Sequence, residues 1–125
     1  MNAVDSSGWL EYLAEGPNAR HFADPLERTA ELIVPSLCLT EVFKIVARQR
    51  GELDALQAVA LMQQAKVIDL DRDIALFAAR AGLIHRLPLA DSIVLATARA
   101  YAAIVWTQDV DFEGLESVQY FPKKK

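Results

Sequence analysis

Four acidic residues, widely separated along the chain, could together hold a divalent metal ion. They are Asp5, Glu41, Asp91 and Asp109. Two carboxylates about 4 Å apart repel by roughly 4 kcal/mol at an effective dielectric constant of about 20, so a group of four requires cations to balance its charge. No Lys or Arg adjoins Asp5, Asp91 or Asp109 in the sequence. Ligation by carboxylate oxygens suits Mg²⁺ or Mn²⁺, and such an ion can bind a phosphodiester and activate the water that attacks it.

The segments that must position these acids alternate between short apolar runs and amphipathic stretches. The apolar runs predict strands at residues 2–5, 32–35, 67–70, 104–107 and 118–121. Helical spacing predicts helices at residues 6–13, about 18–28, 37–50, 53–65, about 72–82 and 89–102. This alternation is typical of an α/β sandwich with a mainly parallel sheet.

Local signals set the expected boundaries of the early helices. Pro25 should break or restart the second helix. Ser36 is a good N-cap for the helix at 37–50, and Gly51 should end that helix.

Apolar spacing also predicts which sides of the later helices are buried. Leu53, Leu56 and Val59 share one side of their helix, which we expect to face the core. Phe77 of the next helix should lie in the core or in a groove for a partner, and residues 83–88 should form a connector.

The acids fall where a parallel α/β sheet binds ligands, at the carboxyl ends of its strands. Asp5 ends the first predicted strand, and Asp109 follows the strand at 104–107. Glu41 and Asp91 lie about two turns and about one turn inside their helices. If each helix follows its strand, the helix N-termini lie at the same edge, and all four acids can converge there.

Two of the acids also have structural interpretations as helix caps. Asp5 could cap the helix that follows it. Asp91 would be an N-cap if its helix began at Ser92, whereas a start at Pro88 or Leu89 favours a role as a metal ligand.

The competing interpretation of Glu41 is a salt bridge to Lys44 or Arg48. All three share one helical face. If Glu41 faces the metal, then Lys44 and Arg48 run outward from it, and we expect them to bind the phosphates that flank the scissile one in RNA. The alternative is that Lys44 and Arg48 are two solvated surface charges.

Composition limits the class of protein. The 125 residues suit a single domain, and 53% hydrophobic with 24% charged residues argues against disorder. No apolar run approaches the roughly 18 residues of a membrane span, and the first residues do not resemble a signal peptide, so we expect a cytoplasmic protein. The formal charge of −4 argues against nucleic-acid binding by bulk positive charge, although bound cations can make a site locally positive. The lone Cys38 is expected to be buried.

Four short motifs occur in a fixed order along nearly the whole chain. They are Val-Asp-Ser-Ser at 4–7, Thr-Glu-Val at 40–42, Ala-Asp-Ser-Ile-Val-Leu-Ala-Thr-Ala at 90–98 and Thr-Gln-Asp-Val-Asp-Phe at 107–112. Each motif alone is weak, but all four in order are a strong signal. Together they resemble the PIN domain and, more closely, the bacterial and archaeal VapC toxins.

This resemblance implies both a fold and an activity. The expected fold is a PIN-like three-layer α/β/α sandwich with a short, mainly parallel central sheet of four or five strands. Residues 1–125 would form one domain, with 122–125 as a flexible tail. The expected activity is that of a Mg²⁺- or Mn²⁺-dependent endoribonuclease, the toxin of a type II toxin–antitoxin (VapBC) system. A metal-activated water would hydrolyse the RNA and leave a 5′-phosphate product.

The resemblance also assigns roles to particular residues. The residues that match the family's acidic quartet are Asp5, Glu41, Asp91 and Asp109. Glu41 would bind the metal directly or through water, and the hydroxyl groups of Thr107 and Ser6 match positions that support the acids. Asp111 is also able to contribute through water, and we expect Asp109 to be the nearer ligand.

The partners implied by the resemblance are a VapB-type antitoxin and a second copy of the chain. The antitoxin's C-terminal segment would lie in an apolar groove between the early helices and place an Arg or Lys among the acids. The homodimer would form through apolar helices. The alternative function is a catalytically silent PIN scaffold that acts as an antitoxin-bound repressor or RNA-binding subunit. A phospho-receiver domain is rejected because no Lys follows the strand at 104–107.

Overall fold

A computed structural model describes residues 1–124, along which strands and helices alternate. The strands are β1 (Asn2–Val4), β2 (Leu32–Pro35), β3 (Lys66–Ile68), β4 (Ile104–Thr107) and β5 (Val118–Tyr120). The α-helices are α1 (Ser6–Leu13), α2 (Ala19–Glu27), α3 (Ser36–Arg50), α4 (Glu52–Met62), α5 (Arg72–His85) and α6 (Leu89–Ala100). Short 3₁₀ turns occupy Thr29–Glu31 and Val110–Phe112. Among the described residues, no helix is both long enough and apolar enough to cross a membrane.

The five strands form one sheet in the order β3-β2-β1-β4-β5, and every neighbouring pair is parallel. Ala3 of β1 pairs with Ile33 of β2 on one side and with Val105 of β4 on the other. Every residue of β1 and β2 is buried, as expected where helices cover both faces of a parallel sheet. The predicted α/β fold with a mainly parallel central sheet is confirmed.

The strand order places the ends of β1 and β4 side by side. From β1 the chain first adds β2 and β3 on one side and then crosses to add β4 and β5 on the other side. The boundary between β1 and β4 is therefore a topological switch point. Ligands bind outside the carboxyl ends of the strands at such points. Asp5 directly follows β1, and Asp109 lies two residues after the end of β4.

Two boundary predictions for the early helices are wrong. Ser36 is the first residue of α3 and not its cap, because β2 runs into the helix without a loop and Pro35 takes the cap position. Pro25 does not break α2, which continues through it to Glu27. Pro25 has no N–H to donate to the carbonyl four residues before it, so α2 loses one hydrogen bond there and ends two residues later.

The buried side of α4 also differs from the prediction. Leu53 and Leu56 are 70% and 54% exposed, and the buried residues are Ala55, Ala58 and Met62. Small alanine side chains allow α4 to pack closely on α3. Fit between the two helices, rather than the hydrophobicity of individual residues, therefore sets the orientation of α4.

The connector predicted at 83–88 is too long, since α5 continues to His85. The helix ends at Arg86, which adopts a left-handed backbone conformation (φ 55°) and donates its N–H to the carbonyl of Gly82. A left-handed residue is a common helix terminator, but it is usually Gly, so the sequence signal at Gly82 was misleading. Phe77, expected in the core or in a partner groove, is 55% exposed and so does not belong to the core.

Candidate metal centre

Asp5 occupies the junction between β1 and α1 and is 4% exposed. Its Oδ1 accepts hydrogen bonds from the Gly8 backbone N–H (3.0 Å) and the Ser7 hydroxyl (2.7 Å). Its Oδ2 accepts from the Thr107 hydroxyl (2.7 Å). Asp5 is therefore the N-cap of α1, as one interpretation expected, but its second oxygen faces the end of β4.

Thr107, the last residue of β4, connects Asp5 to Asp109. The Thr107 hydroxyl donates to Asp5 and accepts the backbone N–H of Asp109 at 2.9 Å. Asp109 Oδ1 in turn accepts the backbone N–H of Asp111 at 3.0 Å and caps the short turn that follows. These bonds fold the loop after β4 back on itself, so that both of its carboxylates lie at the same edge of the sheet.

Asp91 reaches this edge from the first turn of α6. The helix starts at Leu89, with Pro88 in the cap position, so Asp91 is not the N-cap. One carboxylate oxygen from each of Asp91, Asp109 and Asp111 lies within 4.8 Å of the other two. The sequence favoured Asp109 over Asp111 as the nearer ligand, whereas the structure includes both in this group of three.

Crowding of negative charge changes the protonation of two acids. Burial raises the pKa of Asp5 to about 6, although its three hydrogen bonds act in the opposite direction. Burial also raises the pKa of Asp91 to about 7. The carboxylates of Asp109, Asp111 and Asp5 contribute further to the rise at Asp91. Within residues 1–124, the ion pairs join Arg28 to its neighbours in and beside α2, so no Lys or Arg neutralises this cluster.

Glu41 approaches the cluster from α3. Its Oε1 accepts a hydrogen bond from the Ser6 hydroxyl at 3.0 Å, and Ser6 adjoins Asp5. Burial, followed by the charges of Asp5 and Glu41, raises the pKa of the Cys38 thiol, which is fully buried. Glu41 is therefore beside Asp5 but outside the tight group of three acids.

Lys44 and Arg48 lie one turn apart on α3, and both are exposed. Arg48 lines a cavity of about 760 Å³ between α1, α3 and α4, whereas Lys44 lines a separate groove on α3 and α4. Neither forms an ion pair with Glu41 in the described part of the chain. The cavity lies next to the acidic edge, because Ser7, which contacts Asp5, and Gln108, which precedes Asp109, belong to its lining.

The structure thus brings five acids from four separate segments to one edge of the sheet. Sequence reasoning singled out Ser6 but missed Ser7, whose hydroxyl contacts Asp5 directly. Ser7 could have been identified from the sequence, because Asp5 was a candidate N-cap and the side chain two residues after an N-cap lies close to it. Sequence reasoning also missed Gln108, whose backbone N–H donates to the Ser7 hydroxyl at 3.3 Å.

An all-parallel sheet with clustered carboxylates at its carboxyl edge defines an α/β protein with an acidic site at a topological switch point. The PIN domain family matches residues 3–117, and the chain belongs to this family.

Several solved structures share this fold. A toxin–antitoxin complex from Klebsiella pneumoniae matches with a TM-score of 0.83 and 18% identity over 98% of this chain and 100% of that chain. Mycobacterium tuberculosis VapC20, described as a sarcin–ricin loop cleaving toxin, matches with a TM-score of 0.73 and 18% identity over 94% and 98% of the two chains. DNA-bound VapBC from Salmonella typhimurium matches with a TM-score of 0.72 and 17% identity over 98% of each chain. At these identities the likeness establishes the fold. No curated protein sequence matches the chain.

The raised pKa values predict that the metal-free protein loses stability as the pH rises. The folded protein holds protons on Asp5 and Asp91 with pKa values of about 6 and 7, against 3.8 for an ordinary Asp. This contribution to stability is therefore complete below about pH 4 and is lost as the pH rises through 6 and 7. At Asp5 it amounts to at most about 3 kcal/mol.

Chemical denaturation in EDTA between pH 4.5 and 8 measures this loss. The Asp5→Asn variant should show a smaller decrease in the free energy of unfolding over that range, because it lacks one titrating carboxyl. Equal pH dependence in the wild type and the variant would contradict the prediction.

Proposed function

We propose that this protein is a Mg²⁺- or Mn²⁺-dependent endoribonuclease, a VapC-type toxin that acts on RNA in the cytoplasm. The observation that carries the proposal is the group formed by Asp91, Asp109 and Asp111, whose oxygens lie within 4.8 Å of one another beside the buried Asp5. Membership of the PIN family supports it, as does the similar fold of a toxin described as cleaving the sarcin–ricin loop.

The chemistry of the donor set fits a hard divalent cation. The donors are all carboxylate oxygens, which Mg²⁺ and Mn²⁺ prefer, and no Lys or Arg among residues 1–124 forms an ion pair with the cluster. Asp5, Asp91 and Asp109 would hold the ion, with Asp111 and Glu41 contributing directly or through water. The bound ion would stabilise the charge on the phosphodiester and lower the pKa of a water molecule.

The hydroxyl groups around the acids would orient them. Ser7 and Thr107 each hold one oxygen of Asp5, and Ser6 holds one oxygen of Glu41. A carboxylate whose orientation is already fixed loses less freedom when it binds an ion. Because the pKa of Asp5 is about 6 and that of Asp91 about 7, ion binding at or below these pH values would release protons and would strengthen as the pH rises.

Asp91→Asn should abolish cleavage of a structured RNA in the presence of Mn²⁺, because it removes a ligand charge and keeps the shape of the side chain. We expect a loss of at least about 100-fold, since changes even to outer partners of metal ligands cost 10- to 100-fold. The matched control is Asp24→Asn, the same change at an exposed position of α2. RNA cleavage is followed on gels with and without EDTA.

Cleavage that persists in EDTA or in Asp91→Asn would overturn the nuclease proposal. RNA binding without any cleavage by the wild type would favour the silent PIN scaffold instead.

The exposed cations of α3 are proposed to receive the RNA backbone. Arg48 lies at the cavity that reaches the acids, and Arg50 and Lys123 line the same cavity. They would contact phosphates on one side of the cleaved bond, while Lys44 would contact the RNA from the neighbouring groove. Local positive charge of this kind lets an acidic protein approach RNA.

Arg48→Glu should weaken RNA binding and leave Mn²⁺ binding unchanged. Arg99→Glu, at the far end of α6 from Asp91, is the control because it changes the net charge equally. RNA affinity is measured by fluorescence anisotropy and Mn²⁺ affinity by calorimetry. Equal loss of both affinities in Arg48→Glu would contradict the proposed role.

The same cavity would also receive a VapB-type antitoxin. Its apolar lining comprises Leu10, Leu13, Ile45, Val46 and Leu61. Such a lining suits an amphipathic segment, whose Arg or Lys could extend past Ser7 and Gln108 to the acids. A short neighbouring reading frame that encodes a DNA-binding N-terminal region would supply this partner.

A homodimer is proposed through the outward face of α5. The large apolar residues exposed on it are Leu76, Phe77, Leu83 and Ile84, which are 59%, 55%, 82% and 74% exposed. Asp73 and Arg80 lie on the same face, seven residues apart. In an antiparallel pair of α5 helices about a two-fold axis, Asp73 of each copy would lie opposite Arg80 of the other, so the face is complementary to itself.

Leu83→Asp should convert a dimer into a monomer, because it places a charge on the apolar face through which the two helices would pack. Leu53→Asp makes the same change on α4, at a leucine of similar exposure, and should leave the dimer intact. Light scattering coupled to size exclusion gives the mass of each variant. A Leu83→Asp variant that remains dimeric would rule out this face.

A further inference from the structure

A buried asparagine outside the acidic cluster contacts the loop that carries Asp109. Asn18 immediately precedes α2 and is fully buried. Its side-chain Nδ2 donates to Gln108 Oε1 at 3.0 Å and to the carbonyl of Pro122 at 2.9 Å. Its backbone N–H donates to Glu11 Oε2 at 2.7 Å. Asn18 therefore joins three distant parts of the chain.

Gln108 connects this asparagine to the acids. It directly precedes Asp109, and its backbone N–H and side-chain Nε2 both donate to Ser7, at 3.3 and 3.5 Å. The Ser7 hydroxyl donates onward to Asp5 at 2.7 Å. A continuous series of hydrogen bonds thus runs from Asn18 through Gln108 and Ser7 to Asp5.

The segment around Phe121 supplies the third contact. The Phe121 backbone N–H donates to the carbonyl of Thr107 at 2.9 Å. Its ring stacks on His21, with centroids 4.5 Å apart, and meets the edge of Phe22 at 5.7 Å. The carbonyl of Pro122 is therefore held against α2, where it can serve as a fixed acceptor. The tail predicted at 122–125 begins with this anchored residue, and Lys125 lies outside the described residues.

The orientation of the Asn18 amide shows which of its atoms the fold uses. Oδ1 is buried and has no hydrogen-bond partner among residues 1–124. A helix cap would use this oxygen to accept an N–H of the first turn, but Asn18 makes no such bond. Rotating the amide by 180° would instead place the oxygen against two acceptor oxygens. The fold therefore uses both N–H donors of this amide, although leaving its buried oxygen without a protein partner costs free energy.

We propose that Asn18 is a positioning residue for the metal centre: it holds Asp109 in place through Gln108, with the anchored Pro122 carbonyl as its second support. This inference rests on the proposed metal site. Asp109 lies in a loop after β4 and is not within a helix or strand. The position of Asp109 therefore depends on side-chain hydrogen bonds such as those of Asn18 and Gln108. The position of Asp91 depends on them less, because Asp91 is part of α6.

Asn18→Asp and Asn18→Ala test this role. At a helix cap, Asp is as good as Asn. In the proposed role, Asp is worse than Ala, because a carboxylate would face the oxygens of Gln108 and Pro122. The control is Asp71→Ala, which removes the N-cap bond of α5 to Ile74 (2.8 Å) and leaves the loop after β4 unchanged.

Hydrogen exchange of the backbone amides of residues 108 and 109 in metal-free protein is the first readout. We expect exchange at least about 10-fold faster in Asn18→Asp, an intermediate increase in Asn18→Ala and no change in Asp71→Ala. Unchanged exchange in both Asn18 variants, or an Asn18→Asp variant that behaves like the wild type, would overturn the inference. Should Asn18→Asp fail to fold, Gln108→Ala removes the same contact and should give the same increase at residue 109.

The second readout is the dissociation constant for Mn²⁺, measured by calorimetry on folded protein. We expect it to increase about 3- to 10-fold in Asn18→Asp and to stay constant in Asp71→Ala. If the wild type and both Asn18 variants bind Mn²⁺ with the same affinity, the positioning role is overturned. The proposed metal site would be unaffected by that result. Absence of Mn²⁺ binding by the wild type would instead overturn the proposed function, and the amide exchange would still decide whether Asn18 holds the loop.

Discussion

Repulsion between carboxylates at the carboxyl edge of the sheet is the constraint on which the rest of the site depends. The group that contains Asp91, Asp109 and Asp111 lies within 4.8 Å, and charges so close repel by several kcal/mol when they are partly shielded from water. Without a cation, burial and this repulsion both favour the protonated acids, and burial is the larger cause of the raised pKa values of Asp5 and Asp91. A bound cation would relieve this repulsion, and the relief would contribute to the affinity of the site for the ion.

Neutral polar groups, rather than protein cations, hold these acids in position. Hydroxyl groups of Ser6, Ser7 and Thr107 donate to Glu41 and Asp5. Each hydroxyl orients a carboxylate without neutralising it, so the negative charge of the site is preserved. A Lys or Arg in the same place would stabilise the empty site and compete with a metal ion for the same oxygens.

The fold separates this polar edge from the apolar surfaces of its helices. Parallel pairing brings all strand ends to one edge, and the buried β1 and β2 form the centre of the core. The large apolar residues that remain exposed lie mainly on α4 and α5. The exposed apolar residues of α5 are therefore separate from the carboxylates of the acidic edge.

Local sequence patterns were sufficient for the order of strands and helices and for the placement of the acids at element ends. Runs of apolar, branched residues predict the strands. Pro88 marks the start of α6, so Asp91 lies inside the helix and beyond its N-cap position. These features depend on backbone preferences within a few residues. They do not depend on how the helices and strands pack, and so they could be predicted from the sequence alone.

Contacts between distant segments required the tertiary structure. The outward orientation of Leu53 in α4 follows from how closely the helix packs on α3, which no local pattern records. Asp111 enters the acidic group because the turn after Asp109 folds it back. Asn18 meets Gln108 across 90 residues of chain. Many residues of the chain could accept a hydrogen bond from a buried donor. Only the packing of complete helices and strands brings one particular acceptor within reach, so the local sequence cannot show which one it is.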